Sequence, residues 1–326
     1  MKWGILATGT IASKFAETVN QMEDTQTLVA CASRSMEKAE AFRAKYSIAK
    51  AYDSYEAMVQ DPDVDAVYIA TPNNLHYENC LLCLNAGKHV LCEKPFTVNP
   101  DEGKALFDLA AEKGLFIMEA FWIRFLPALQ KMKELIDSGA IGDVVWARSD
   151  YGFVAKGARK DRKFDSALAG GALLDIGIYN LGFMRMVMGD QQPESFDSHH
   201  HINEYGTDDF STVLLRYPGG KSAVVTTSIG VDMTRFAAVY GTAGSILLED
   251  FQHAEKLTVR PDGQEPYEVN LPREINGFEY QIREVDRCVK LGMTTSDILK
   301  AEDTLEILDL MSRIRASWGL TFACEK

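Results

Sequence analysis

Up to residue 120, short apolar runs alternate with stretches in which apolar residues return every three or four positions. A parallel sheet covered by helices on both faces produces this alternation, because each strand is buried and each crossover helix shows one apolar stripe. The runs Lys2–Ala7, Thr27–Ser33, Ala66–Ala70, His89–Glu93 and Phe116–Glu119 predict strands. The stretches Ile11–Met22, Met36–Tyr46, Ser54–Asp61, Leu75–Ala86 and Pro100–Lys113 predict helices between them, giving a doubly wound unit.

Beyond Glu119 the pattern changes. A helix is predicted near Pro127–Ser138 and a strand near Val144–Phe153, and Gly170-Gly171 introduces a helix that runs to Met188. Strand-like runs then follow one another at Thr212–Tyr217, Ser222–Ser228, Phe236–Tyr240, Ser245–Glu249, Lys256–Arg260 and Tyr267–Leu271. Turn chemistry such as Pro218-Gly219-Gly220 and Pro261-Asp262-Gly263 separates several of them, which predicts a largely antiparallel sheet. Helices over Gly277–Leu291 and Ala301–Trp318 complete an α+β second domain. The fold class is therefore α/β, with a parallel domain over 1–120 and an α+β domain over 121–326, and no repeat, low-complexity tract or long linker.

Composition narrows the partners. The 326 residues are 46% hydrophobic, enough for a sizeable core and more than one average domain needs. Six cysteines without a secreted-style framework or a leader pattern predict free thiols in a reducing, cytoplasmic setting. No apolar run is read as long enough for a membrane helix, since Ala172–Met188 carries Asp175, Asn180 and Arg185. A formal charge of −13 argues against nucleic acid or an anionic membrane as the main partner, because phosphate neutralisation needs a basic face.

The candidate chemistry lies where strands end. Gly4-Ile5-Leu6-Ala7-Thr8-Gly9-Thr10-Ile11-Ala12 joins the first strand to the first helix, where a helix N-terminus would meet a dinucleotide's diphosphate. Its spacing is AxGxxA: Gly9 lets the backbone approach the ligand, Ala12 allows close helix packing, and Ala7 departs from the usual first glycine. Thr8, Gly9, Thr10 and Ile11 are the candidate contacts, and an ordinary tight turn is the plainer alternative. At the end of the second strand Ser33-Arg34-Ser35 offers no carboxylate for an adenosine ribose. A hydroxyl and a guanidinium suit a 2′-phosphate, so NADP is expected over NAD, with Lys38 a further candidate contact. The plainer reading makes Arg34 a solvated surface charge.

Thr71-Pro72-Asn73-Asn74-Leu75-His76 and Cys92-Glu93-Lys94-Pro95 each follow a strand. With AxGxxA they resemble the glucose-fructose oxidoreductase / inositol dehydrogenase family, known as Gfo/Idh/MocA, in order and spacing. The resemblance continues through Glu119-Ala120-Phe121-Trp122-Ile123-Arg124-Phe125-Leu126-Pro127 and Gly170-Gly171-Ala172-Leu173-Leu174-Asp175-Ile176-Gly177-Ile178-Tyr179, in a form similar to the dimeric dihydrodiol dehydrogenase-like branch.

The resemblance implies an N-terminal Rossmann domain and a substrate-binding, dimerising second domain. It implies a hydride exchanged between NADP, or NAD, and a secondary alcohol or carbonyl of a sugar, cyclic polyol or dihydrodiol. Lys94 would lie beside the nicotinamide, with Tyr179 as the proton-exchanging group. A tyrosine of pKa about 10 is a poor base at neutral pH, so a nearby ammonium must favour its phenolate. Asp175, four residues before Tyr179, would orient substrate hydroxyls or join the relay. Thr71, Pro72, Asn73, His76, Glu93, Trp122 and Arg124 complete the implied cofactor site, and no metal is required. Taken singly, each has a duller reading: a lysine before proline ends a strand, a tyrosine on an apolar helix is core, and Trp122 packs between domains.

Two further readings stay open: a cofactor-binding regulator without turnover, and an enzyme of the same fold that holds its nicotinamide permanently. Cys80-Leu81-Leu82-Cys83 falls in a helical pattern with no second pair for zinc, and alternate residues of His199-His200-His201 point apart if extended. Phe153, Arg159, Arg162, Phe278 and Tyr280 are the candidates for substrate specificity.

Overall fold

The near-continuous apolar runs of the first half are strands buried on both faces. The computed structural model describes residues 1–22, 25–156 and 162–325, so Arg159 lies outside the described residues. Strands β1 (Lys2–Leu6), β2 (Thr27–Ala32), β3 (Lys50–Tyr52), β4 (Ala66–Ile69), β5 (His89–Cys92) and β6 (Ile117–Glu119) form one sheet in the order 3-2-1-4-5-6. Every neighbouring pair is parallel. The crossovers carry α1 (Thr10–Val19), α2 (Met36–Tyr46), α3 (Tyr55–Val59), α4 (His76–Asn85) and α5 (Pro100–Lys113). Strand order reverses between β1 and β4, which opens a crevice at their carboxyl ends where such sheets bind ligands. The pattern does not predict β3, whose three residues are each half-buried and too few to show a period. Phe15 of α1 stacks on Tyr68 of β4 with ring centroids 3.9 Å apart, fixing the first helix on the sheet.

The second sheet alternates in burial, as expected where helices cover only one face. After α6 (Pro127–Asp137) come β7 (Val144–Gly152), a π-helical turn over Leu173–Gly177 and α7 (Ile178–Met188). Then follow β8 (Ser195–Ile202), β9 (Asp208–Arg216), β10 (Ser222–Ser228), β11 (Ala237–Gly241), β12 (Gly244–Leu248), β13 (Lys256–Pro261) and β14 (Tyr267–Asn270). The order is 14-13-12-11-7-10-9-8, and all pairs are antiparallel except β7 with β10. That parallel pair follows from the long crossover through α7, whose Asn180 amide donates to Thr226 O at 3.1 Å and Thr227 Oγ1 at 3.0 Å on β10. The run Ser166–Met188 corrects the membrane reading: by length and composition it could cross a bilayer, yet 89% of its apolar window is buried within the protein, as in a core helix.

By compactness the chain divides into Met1–Trp122 with Glu274–Leu305, and Ile123–Arg273 with Glu306–Lys326. The sequence reading groups 274–305 with the second domain, whereas the structure packs that stretch on the first. Its attachments are polar and specific: Asn276 Nδ2 donates to Thr18 Oγ1 at 2.8 Å, Ile117 N to Thr294 O at 3.0 Å, and Thr304 Oγ1 to Glu119 Oε2 at 3.0 Å. The stretch includes α8 (Phe278–Lys290), and α9 (Ala301–Ser317) follows. Contacts between residues so far apart in sequence leave no trace in local periodicity.

Candidate active site

In the first unit the β1–α1 turn is shaped for an anion. Gly9 is the N-cap of α1 with no side-chain cap, and no acidic residue lies in the helix's first turn. A Cβ on Gly9 would meet nothing within 4 Å, so the turn faces open space. Thr8, Thr10 and Ile11 are half-buried or exposed around it, and Ala12 is fully buried against the sheet. Ala7 has φ 71°, a conformation that costs a residue with a Cβ about 1 kcal/mol, so the backbone keeps the glycine geometry without the glycine. At the end of β2, Ser33 is buried while Arg34 and Lys38 are exposed. Ser35 caps α2, accepting from Lys38 N, and the nearest following carboxylate is Glu37 in that helix's first turn. An uncapped helix N-terminus and a cationic strand end fit a phosphorylated dinucleotide.

The loops after β4 and β5 are tied together from beneath. His76 is fully buried, with Nδ1 2.7 Å from Pro95 O and Nε2 2.9 Å from Thr71 O. It therefore holds Thr71 and the Lys94-Pro95 turn in register instead of presenting its ring to a ligand. Thr71 accepts from Asn79 Nδ2 at 3.1 Å, leaving Pro72 and Asn73 half-buried at the rim. Glu93 is buried, accepts the Tyr68 hydroxyl and takes Lys94 N–H at 3.2 Å. Burial raises its carboxyl pKa, opposed by the Tyr68 hydrogen bond and by the Lys94 and Lys14 ammonium groups. Glu119 accepts Phe96 N–H at 3.0 Å and the Thr304 hydroxyl, and burial pushes its carboxyl up to about 7. Lys94 itself is half-buried between these two carboxyl-bearing loops.

Trp122 is buried in the first unit, its ring 5.6 Å from that of Phe278. The Lys14 ammonium lies 4.4 Å from each ring centroid. This arrangement anchors the Trp122 segment to α1 through a cation–π contact. Arg124, the second residue of the second unit, is half-buried, with its carbonyl accepting from Gln130 Nε2.

In the second unit, Asp175 and Tyr179 stand on the helical run that starts at Gly170-Gly171. Asp208 is buried, accepts Leu173 N–H at 2.7 Å, and has its carboxyl pushed up to about 7 by burial. Asp175 keeps 8% of its exposure and pairs with Lys163. Tyr179 is 5% exposed, its ring 6.0 Å from that of Tyr151. A cavity of about 540 Å³ in the same unit is lined by residues including Phe164, His201, Tyr205 and Asp209, and by neither Asp175 nor Tyr179. The histidine run lies in β8 and alternates: His200 stacks on Trp318 at 4.7 Å while His201 Nδ1 sits 2.7 Å from Asp209 Oδ1. Cys80 and Cys83 are buried on α4.

Lys14, Lys163 and Asp208 escape the sequence reading. Lys14 lies within the amphipathic pattern of α1, and Lys163 becomes notable only when its segment folds back on Gly171. Asp208 has one weak signal, an acidic pair opening an otherwise alternating strand.

Residues 1–121 match the family described as an oxidoreductase family with an NAD-binding Rossmann fold, and residues 129–247 match the GFO/IDH/MocA C-terminal domain. The chain is 36% identical over 332 residues to trans-1,2-dihydrobenzene-1,2-diol dehydrogenase of Mus musculus, covering 100% of this chain and 99% of that protein. Among solved structures it is similar to an aldose-aldose oxidoreductase from Caulobacter crescentus complexed with glycerol, at 25% identity and TM-score 0.88 with 97% of each chain covered. A 3-ketoreductase from Actinomadura kijaniata in complex with NADP and TDP-benzene is 26% identical, with TM-score 0.87 and 97% of each chain covered.

Proposed function

We propose, from the premise that this chain belongs to the Gfo/Idh/MocA oxidoreductase family, that it is an NADP-preferring dehydrogenase or reductase acting on a secondary alcohol or carbonyl of a sugar, cyclic polyol or dihydrodiol. The β1–α1 turn carries the reading: an uncapped helix N-terminus and open space at Gly9, beside a strand end that bears Ser33 and Arg34 instead of a carboxylate. Thr8, Gly9, Thr10 and Ile11 would hold the diphosphate, and Ser33, Arg34 and Lys38 the 2′-phosphate. Thr71, Pro72, Asn73, Glu93, Trp122 and Arg124 would shape the nicotinamide end, with His76 acting through the loops it clamps. Bound nicotinamide supplies the hydride donor or acceptor.

The protein's own groups handle the proton. The Lys94 ammonium donates to the substrate oxygen and favours its anionic form, while the Tyr179 hydroxyl exchanges the proton and Asp175 accepts from a neighbouring substrate hydroxyl. No thiol or metal ligand enters this scheme. The half-buried face of the second sheet, with Trp146 stacked on Tyr240 at 5.1 Å and with Leu214, Val224 and Leu247 beside them, supports a homodimer. A reducing, cytoplasmic setting belongs to the same reading.

A panel of cyclic diols, aldoses and inositols, followed by nicotinamide absorbance with both cofactors, tests the activity. Arg34→Ala is expected to weaken NADP binding about tenfold or more and NAD binding little, because a charge-assisted hydrogen bond is lost from the phosphate alone. Equal losses for both cofactors would remove the 2′-phosphate assignment.

A further inference from the structure

The glycine pair before α7 exists to seat another segment of chain. Lys163 O accepts Gly171 N–H at 2.7 Å, and a Cβ on Gly170 would lie 2.5 Å from the same carbonyl. Only a residue without a side chain lets the Lys163 backbone lie this close. The Lys163 side chain then reaches Asp175, four residues before Tyr179, and its ammonium also lies 4.8 Å from the Phe153 ring centroid. The two charged side chains retain only 10% and 11% of their exposure.

An ion pair so withdrawn from water gains little stability, since desolvation offsets the attraction. Its placement is better explained by what it binds. An ammonium has three donor hydrogens and a carboxylate two acceptor oxygens, so the pair presents donor and acceptor side by side. Two neighbouring hydroxyls are the complement: one accepts from Lys163 while the other donates to Asp175.

We propose that Lys163 and Asp175 form a hydroxyl-recognition pair that selects polyhydroxylated substrates, aldopyranoses or cyclitols, over diols on hydrocarbon rings. The proposal rests on the alcohol–carbonyl reading above. Lys163 is the specificity-determining member, because Asp175 also serves the reaction.

The test compares wild type, Lys163→Met and Lys163→Arg with NADP on myo-inositol, D-glucose and trans-cyclohexane-1,2-diol, together with thermal shifts produced by each alcohol on the NADP-saturated protein. Lys163→Met is expected to lower kcat/KM for the polyhydroxylated substrate about tenfold or more, mainly through KM, and to change the value for the simple diol less than about threefold. Lys163→Arg should recover most of the loss. Should Lys163→Met not fold, Lys163→Gln, which can still donate to Asp175, carries the same comparison. Equal losses on both substrate classes, no loss on either, or wild-type turnover of the simple diol alone would overturn the proposal and leave the oxidoreductase reading standing. If no alcohol is turned over but a polyol shifts wild type and not Lys163→Met, the pair stands and the oxidoreductase reading falls. Neither turnover nor shift would overturn both.

Discussion

Two glycine turns, each opening a helix, divide the labour of this protein. Gly9 faces empty space, and its helix keeps its first N–H groups without a side-chain cap. Gly171 faces the opposite situation: its φ is 122°, and a Cβ there would lie 2.2 Å from Asp208 Oδ1, whose carboxyl group caps Leu173 N–H. The first helix terminus opens on space without a side-chain cap, while the second is satisfied from within. A glycine motif therefore has two distinct physical causes, and only the surroundings tell them apart. Where the terminus is used internally, the proposed chemistry rests on side chains one or two turns on, Asp175 and Tyr179.

The largest expected effect tests that displacement. Tyr179→Phe removes a hydroxyl but keeps the ring packed on Tyr151, so turnover should fall by roughly 10²–10⁴ while folding and NADP affinity survive. Lys94→Met should harm turnover at least as much. The double variant should be little worse than the poorer single one, because groups that act together are not additive. Near-normal turnover in Tyr179→Phe with loss in Asp175→Asn would assign the proton exchange to Asp175.

The glycine turns themselves come next. Gly171→Ala must relieve both a positive φ and a collision with Asp208, and should destabilise the protein by about 3 kcal/mol or more in urea unfolding. Gly9→Val has room for its side chain and should change stability by no more than about 1 kcal/mol, while lowering NADP affinity about tenfold or more by occupying the ligand's place. If the two variants exchanged these phenotypes, the comparison would be reversed.

The smallest effect is one the two units share. Each buries a carboxyl whose pKa is pushed up to about 7, Glu119 in the first and Asp208 in the second. The folded state then holds a proton that the unfolded chain, near 4.5 for glutamate, has already released. Each group therefore costs stability as pH rises from its unfolded value towards about 7. Glu119→Gln lacks that slope, and its stability relative to wild type should rise across the window by on the order of 1–3 kcal/mol. Asp208→Asn should behave alike. A stability difference that stays flat between pH 5 and 8, roughly spanning that window, would place these carboxyls in wetter surroundings.

Much of this was readable in advance. The strand and helix periods of the first half, the glycine turn between β1 and α1 and the order of the Lys94, Asp175 and Tyr179 motifs are local properties, set by burial on two faces and by short spacings. β3 is not legible because three half-buried residues carry no period, and β8 escapes the strand list because its polar residues obscure the alternation. Likewise, His76 was legible as part of a motif, but not as a clamp between Thr71 O and Pro95 O, since one of those partners comes 19 residues later.

By itself, then, the sequence determined the class of most elements, the doubly wound order of the first half and the family motifs, because hydrophobic period and turn chemistry act within a few residues. Only the tertiary structure decided that 274–305 packs with the first unit, that Lys14 sits over Trp122 and Phe278, that Asp208 caps the helix of Tyr179 and that Lys163 pairs with Asp175. Those contacts join residues far apart along the chain. Their free energy comes from desolvation and close approach, which exist only once the backbone has folded.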